Sequence, residues 1–183
     1  MLPGRLTPWK GHGVMIDALA QLQDSAAIAV IVGGEEGTEP YQAELIARAV
    51  RLGVGERMRL VGRCEDMAAA YMLADVVAST SIRPEAFGRV AVEAQAMGVP
   101  VVATSIGAVH ETVMGGVSGW LVPPGDPVAL ARALEAALAL EPRQRKAQAE
   151  AARRHVNDQF ALELMCERTL AVYREVLDAA AKA

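Results

Sequence analysis

Short apolar segments alternate with helix-forming segments along most of this chain. Each predicted strand runs into a loop that contains Gly, Ser or Thr, and the strands lie at 27–32, 58–61, 75–79, 101–104 and 120–122. Helices are predicted between them, at 13–23, 41–52, 67–73, 89–97 and, as a short turn, near 111. Buried strands separated by helices are typical of parallel sheets. The sequence therefore predicts an α/β fold, with a Rossmann-like parallel sheet and helices on both of its faces.

The last third of the chain is predicted to be helical. Segment 128–140 is an Ala-rich helix, and Pro142 begins another that runs to about 157. From Leu162 onward the apolar residues recur at helical spacing, which predicts an amphipathic helix with a stripe to bury. We accordingly divide the chain into a Rossmann-like domain at 1–140 and a C-terminal helical extension at 141–183 that packs on it.

Charge and composition exclude several classes of function. The net charge is −4, from 18 basic and 22 acidic side chains, whereas a nucleic-acid-binding protein is expected to be basic. The cysteines Cys64 and Cys166 lack the spacing of a metal or redox site, and the three histidines are equally scattered, so no metal site is predicted. No apolar run reaches membrane-spanning length and no signal peptide is recognisable, which favours a cytoplasmic protein.

The segment that says most about ligand binding is 83–100, where Glu85 and Glu93 lie eight positions apart on either side of Gly88. The helix predicted from 89 should begin near Gly88. Its first N–H groups, at Gly88, Arg89 and Val90, have no partner within the helix and attract an anion. Glu93 lies one turn further on, and its side chain leans back toward that terminus. Its carboxylate can then accept hydrogen bonds from a vicinal diol such as that of a ribose.

A simpler interpretation is that both glutamates merely favour the positive end of the helix dipole. For Glu93 alone that interpretation would be preferred. The complete pattern favours the binding site, because Gly98 ends the helix and segment 99–104 continues directly as a buried strand.

At this point the segment resembles the nucleotide-sugar motif, Glu-x7-Glu, of the retaining glycosyltransferases called family 4. Three further segments resemble motifs of that family in the same order: 4–11 its diphosphate-binding start, 105–111 a loop before a short helix, and 119–126 its Gly-Leu-Leu-Val-Pro-Pro-Gly-Asp stretch. The resemblance extends to about Leu140. It implies that the chain is one half of a GT-B fold, the half that binds the donor, with the N-terminal acceptor domain absent from this chain.

The resemblance also assigns roles to residues, of which Glu85, Arg5 and Lys10 are the catalytic candidates. Arg5 and Lys10 would bind the donor diphosphate and stabilise the leaving nucleotide, although a basic residue in a turn is more often simply a surface charge. Glu85 would contact the sugar and Glu93 the ribose. The backbone of Phe87, Gly88, Arg89 and Val90 would contact the phosphates and sugar.

Segment 62–67 would lie along the nucleobase by the same resemblance, which brings in Arg63, Cys64 and Met67. Arg63 can stack on a base. A loop in which Asp66 caps the following helix explains the segment equally well.

The function implied is transfer of a glycosyl group, with retention of configuration, from a UDP-, GDP- or ADP-sugar to a saccharide or lipid-linked acceptor. No cofactor is implied beyond this donor substrate, and the isolated chain is expected to be inactive or weakly active. The parent enzyme's association with the inner face of a membrane is left open. Two alternatives stay open as well: a sugar-nucleotide epimerase of the same architecture, and a non-catalytic nucleotide-binding module.

Three sequence features depart from the family pattern. Only segment 1–3 precedes Gly4, so the first strand, normally central, is expected to be short or to be completed by another chain. From this we expect the chain to self-associate or to expose an apolar patch. Ala86 and Ala108 stand where the family usually has glycine, and each adds a methyl group near the donor.

Overall fold

The computed structural model describes residues 1–24, 26–34 and 37–181. The strands are β1 (Leu2–Pro3), β2 (Ala29–Val32), β3 (Met58–Leu60), β4 (Val77–Ser79), β5 (Val101–Thr104) and β6 (Gly119–Val122). The helices are α1 (His12–Leu19), α2 (Glu39–Arg51), α3 (Met67–Met72), α4 (Arg89–Ala96), α5 (Val109–Thr112), α6 (Pro127–Leu138), α7 (Pro142–Phe160) and α8 (Leu162–Ala181). Residues 182 and 183 of the predicted extension lie outside the described residues.

All strand pairs are parallel and form two three-stranded sheets, in the orders β1-β2-β3 and β4-β5-β6. Met1 joins the two sheets edge to edge. Its backbone nitrogen donates to the Val76 carbonyl at 2.7 Å, and the Ala78 N–H donates to the Met1 carbonyl at 2.8 Å. The spatial order is therefore β3-β2-β1-β4-β5-β6, the doubly wound order, and the predicted fold class is confirmed.

Helices cover both faces of this sheet, because successive strand residues point to opposite sides. Val102 packs with α1, α2 and α6 on one face. Its neighbours Val101 and Ala103 pack with α3, α4 and α5 on the other. Since the strands are apolar on both faces, they read in the sequence as continuous apolar runs rather than as alternating ones.

The first strand is short, as the sequence predicted. Leu2 pairs with Ile31 and Pro3 pairs with Val32. Beyond Met1, at the end of the strands opposite the Arg5 loop, an apolar cavity of about 580 Å³ separates β2 from the segment before β4. Self-association of the chain stays a prediction.

The two terminal helices differ in how they pack. In α7, Ala152 and Val156 are buried, and the Arg153 guanidinium donates to the Ala96 and Met97 carbonyls at the end of α4. None of the residues described for α8 is buried, so its apolar stripe faces outward. No helix in the described parts of the chain combines the length and hydropathy needed to cross a bilayer.

Gly11, at the start of α1, lies against Thr80 just beyond the end of β4. A substitution there tests this close approach. Gly11 has φ +74°, and a Cβ there would lie 1.9 Å from the Thr80 carbonyl oxygen. Gly53 has φ +71°, but a Cβ there would meet nothing within 4 Å. Replacing either glycine by alanine incurs the left-handed backbone cost of roughly 1–2 kcal/mol.

Gly11→Ala must also push the start of α1 away from the end of β4. We expect it to lower the free energy of unfolding by about 2 kcal/mol more than Gly53→Ala does, in urea titrations of both variants and the wild type. Equal losses would contradict the close approach at Thr80.

Candidate functional site

A cleft of about 230 Å³ opens at the carboxyl ends of β1 and β2. One wall consists of the loops that follow these strands and carries Arg5, and the other consists of α3 and the first turns of α4. The order of strands reverses between β1 and β4, and such a switch point is where parallel sheets bind ligands. The cleft lining includes these residues singled out from the sequence: Arg5, Arg63, Cys64, Met67, Arg89, Val90 and Glu93.

The start of α4 follows the sequence prediction. Gly88 is the N-cap residue, with φ 79°, and no side chain in the described parts of the chain caps the helix. The first N–H groups of an α-helix lack intrahelical acceptors, and the helix dipole places partial positive charge there. Val90 brings this terminus to the cleft wall. This terminus, beside the Arg5 loop, therefore has the chemistry that attracts an anion.

Glu93 lies on the same helix, and a hydrogen bond from the neighbouring helix α3 holds its carboxylate. The Tyr71 hydroxyl on α3 donates to Glu93 Oε2 at 2.8 Å. Arg89 Nε lies 3.7 Å from the other oxygen, Oε1, and its side chain is largely exposed. Burial raises the pKa of the Tyr71 phenol, and the hydrogen bond to Glu93 and that carboxylate's charge raise it further. Tyr71 therefore remains a proton donor throughout the usable pH range.

Glu85 and Lys10 form one unit, although sequence reasoning treated them separately. Lys10 Nζ donates to Glu85 Oε1 at 2.8 Å, and the two side chains are only 15% and 14% exposed. Lys10 Nζ also lies 4.6 Å from the centroid of the Trp9 ring, within cation–π range. The Ser81 hydroxyl makes a short hydrogen bond to the same Glu85 oxygen. Within residues 1–24, 26–34 and 37–181, no donor contacts Glu85 Oε2, so this oxygen can accept from another partner.

Ser81 and Tyr71 are the two site residues that sequence reasoning missed. Ser81 lies just beyond the carboxyl end of β4, a position at which polar side chains commonly face a ligand. The signal available in the sequence was the polar run Ser79-Thr80-Ser81 directly after an apolar segment. Tyr71 lies in a short apolar helix, where the only indication was that a buried tyrosine hydroxyl requires a partner.

The remaining predicted residues lie in two places. Arg63 is exposed at the cleft rim, and the Cys64 thiol donates to the Asp66 carbonyl at 3.3 Å. The Asp66 carboxylate accepts from the Ala69 N–H at 2.9 Å, so the capping interpretation of this loop is confirmed. Phe87 does not line the cleft; its ring packs edge-on against Phe160 of α7, with the ring centroids 5.4 Å apart.

His12 is fully buried at the start of α1, two residues after Lys10. Burial lowers the pKa of His12 to about 4, and the nearby Lys10 charge acts in the same direction, while the Thr7 backbone opposes it. The imidazole is therefore neutral at pH 7 and contributes packing, with its ring 5.8 Å from that of Tyr41. Within the described ranges, no group of three or more His, Cys, Asp or Glu is arranged to hold a metal ion.

The family model described as "Glycosyl transferases group 1" matches residues 2–155. Among curated relatives, the D-inositol 3-phosphate glycosyltransferase of Jonesia denitrificans is 38% identical over 97% of this chain and 43% of its own length. The enzyme of that name from Salinispora tropica is 38% identical over 95% of this chain and 37% of its own length. This chain thus spans less than half the length of these relatives.

Solved structures show the same relationship. A glycosyltransferase from Rickettsia africae superposes with a TM-score of 0.91 at 33% identity, over 96% of this chain and 47% of that one. Anabaena HepE in complex with UDP superposes with a TM-score of 0.88 at 33% identity, over 95% of this chain and 48% of that one.

The neutral His12 predicts a pH dependence of stability. An unfolded chain protonates this imidazole below pH about 6.5, whereas the folded chain does so only near pH 4. The unfolded state thus binds more protons in this window, so the free energy of unfolding falls as the pH drops through it. The fall due to His12 is roughly 3 kcal/mol.

We expect His12→Leu to lose this part of the pH dependence in urea titrations between pH 7 and pH 4. His110→Gln, which alters an exposed histidine, should keep the wild-type slope. A wild-type slope in His12→Leu would show that the imidazole of His12 takes up its proton at the same pH in the folded and the unfolded chain.

Proposed function

This chain belongs to the glycosyl transferases of group 1, and on that basis we propose that it binds a nucleoside-diphosphate sugar and forms the donor half of a hexosyl transferase. One observation carries the proposal. The uncapped start of α4, the Arg5 side chain and the Glu93 carboxylate line a single cleft at the switch point of the sheet. A cation and a helix terminus suit the diphosphate, and a carboxylate suits the ribose diol.

We assign the sugar to the Lys10–Glu85–Ser81 unit. Glu85 Oε2, which is not engaged by Lys10 or Ser81, can accept a hydrogen bond from a sugar hydroxyl. Lys10 is the cation at this end of the site, and negative charge that develops on the departing diphosphate is stabilised by Lys10 and by the α4 terminus. In this proposal Lys10 and the α4 terminus together neutralise the charge of the departing diphosphate.

The donor proposed first is a UDP-sugar. Anabaena HepE, at 32% identity over 95% of this chain, has been solved in complex with UDP-glucose. The finer assignment, to the retaining family 4, rests on the spacing of Glu85 and Glu93 and on the order of the surrounding motifs. The names of the curated relatives support a phosphorylated polyol as the acceptor, which we place on a further domain because this chain covers under half of their length.

Calorimetric titration with UDP, GDP and ADP tests the donor class. We expect one nucleotide, UDP, to bind tightest, because Anabaena HepE, which is 33% identical over 95% of this chain, has been solved in complex with UDP. Lys10→Ala should weaken UDP binding by 10- to 100-fold, since a hydrogen bond to a charged group contributes about 1.5–3 kcal/mol. Lys146→Ala, an exposed lysine on α7, is the matched control and should bind as the wild type does. Equal affinities in both lysine variants would remove Lys10 from the site.

Product analysis tests the reaction itself. With UDP-glucose and inositol 3-phosphate, we expect this chain alone to turn over far more slowly than a two-domain relative, because half of the active site lies on another domain. Turnover equal to that of the relative would refute the proposed division of labour. Conversion of UDP-glucose to another UDP-hexose without an acceptor would instead reveal an epimerase. Unchanged UDP affinity in Glu93→Ala would reveal a different nucleotide-binding mode.

A further inference from the structure

We propose that Tyr71 is a positioning residue for the nucleotide, which fixes Glu93 so that one carboxylate oxygen meets both hydroxyls of the ribose. This inference rests on the proposed function and adds a residue that the Glu-x7-Glu motif does not contain. It begins from one contact between two helices: the Tyr71 hydroxyl donates to Glu93 Oε2 at 2.8 Å.

Tyr71 is anchored more firmly than the residue it contacts. It is 2% exposed, and its ring packs in the core cluster that contains Val77, Ala91 and Ala94. A tyrosine has two side-chain torsions, and here the packing fixes them. The side chain of Glu93 is 42% exposed and has one torsion more. The phenol therefore transmits the rigidity of the core to a carboxylate that would otherwise sample several rotamers in solvent.

The division of the two carboxylate oxygens follows from the geometry. Tyr71 occupies Oε2. Among the described residues, the one charged partner of Oε1 is Arg89, whose Nε lies 3.7 Å away, a distance too long for a hydrogen bond. A carboxylate oxygen offers two lone pairs, so Oε1 can accept from two adjacent hydroxyls. Arg89, whose side chain is 82% exposed, can move aside without losing buried contacts.

Two properties suit the phenol to this task. It donates but never carries a positive charge, so it orients the carboxylate without neutralising it, whereas a lysine or arginine at that place would compete with the ligand. The phenol also stays protonated, as its raised pKa requires. Loss of the hydroxyl should therefore weaken binding of nucleotides that present a diol and leave other nucleotides unaffected.

The test compares UDP with 2′,3′-dideoxy-UDP, which lacks both hydroxyls. Affinities are measured by calorimetry for the wild type, Tyr71→Phe, Glu93→Gln and the double variant. We expect Tyr71→Phe to weaken UDP binding by three- to tenfold and to leave the affinity for the dideoxy compound unchanged, so that the preference for UDP shrinks toward that of Glu93→Gln. The double variant should bind UDP only slightly more weakly than Glu93→Gln does, because both substitutions remove the same contact with the ribose.

Tyr41→Phe, which removes the hydroxyl of a half-buried tyrosine on the opposite face of the sheet, should keep the wild-type preference. Thermal unfolding of each variant monitors the fold. If Tyr71→Phe does not fold, Tyr71→Met, which keeps an apolar side chain and removes the donor, replaces it with the same expected result.

Three outcomes would overturn the inference. Equal weakening of both nucleotides in Tyr71→Phe would show a purely structural role. A wild-type preference for UDP in Tyr71→Phe would show that Glu93 needs no positioning, and the proposed function would stand. Failure of the wild-type chain to bind either nucleotide would overturn the proposed function and this inference with it.

Discussion

The site depends on β1 and β4 lying side by side. The segment that follows β1 and the segment that follows β4 are far apart in the chain. Both leave the sheet at the carboxyl ends of the strands. Lys10 and Glu85, 75 residues apart, can therefore form an ion pair. The Thr80 hydroxyl adds a second link, since it donates to the Lys10 carbonyl at 2.8 Å. A rearrangement of these two strands would separate Arg5 and Lys10 from the segment that carries Glu85, the start of α4 and Glu93.

Two of the cations in and near the cleft lie beside carboxylates, whereas Arg5 and Arg63 form no ion pair among the described residues. Lys10 is paired with Glu85, and Arg89 lies near Glu93. A simple anion must compete with these carboxylates for Lys10 and Arg89. A ligand that carries both a diphosphate and several hydroxyl groups can satisfy cations and carboxylates together. This complementarity supports the proposal that the ligand is a sugar nucleotide and not an inorganic anion.

Local patterns in the sequence predicted the elements of the fold, and the connection rules of α/β proteins predicted their assembly. The start of α4 at Gly88 is one such case, because a glycine before a run of helix formers is a local signal. Tyr71 and Ser81 escaped prediction because each acts through a partner, at 22 and four residues' distance, that only the packed structure identifies. In α8, periodicity predicted the helix and its apolar stripe but carried no information about what the stripe contacts.

The two glutamates are held in different ways, and this difference argues for different roles. Glu85 is 14% exposed and bound by a cation and a hydroxyl, so its negative charge is balanced at the place that the proposed function gives to the sugar. Glu93 is 42% exposed and held by a neutral phenol, so its charge is available to hydroxyl groups that do not react. A charge beside a reacting centre has to be fixed and compensated, whereas one that grips a spectator ribose has only to be oriented. The motif supplies the same residue type twice, and the surroundings of each copy determine its task.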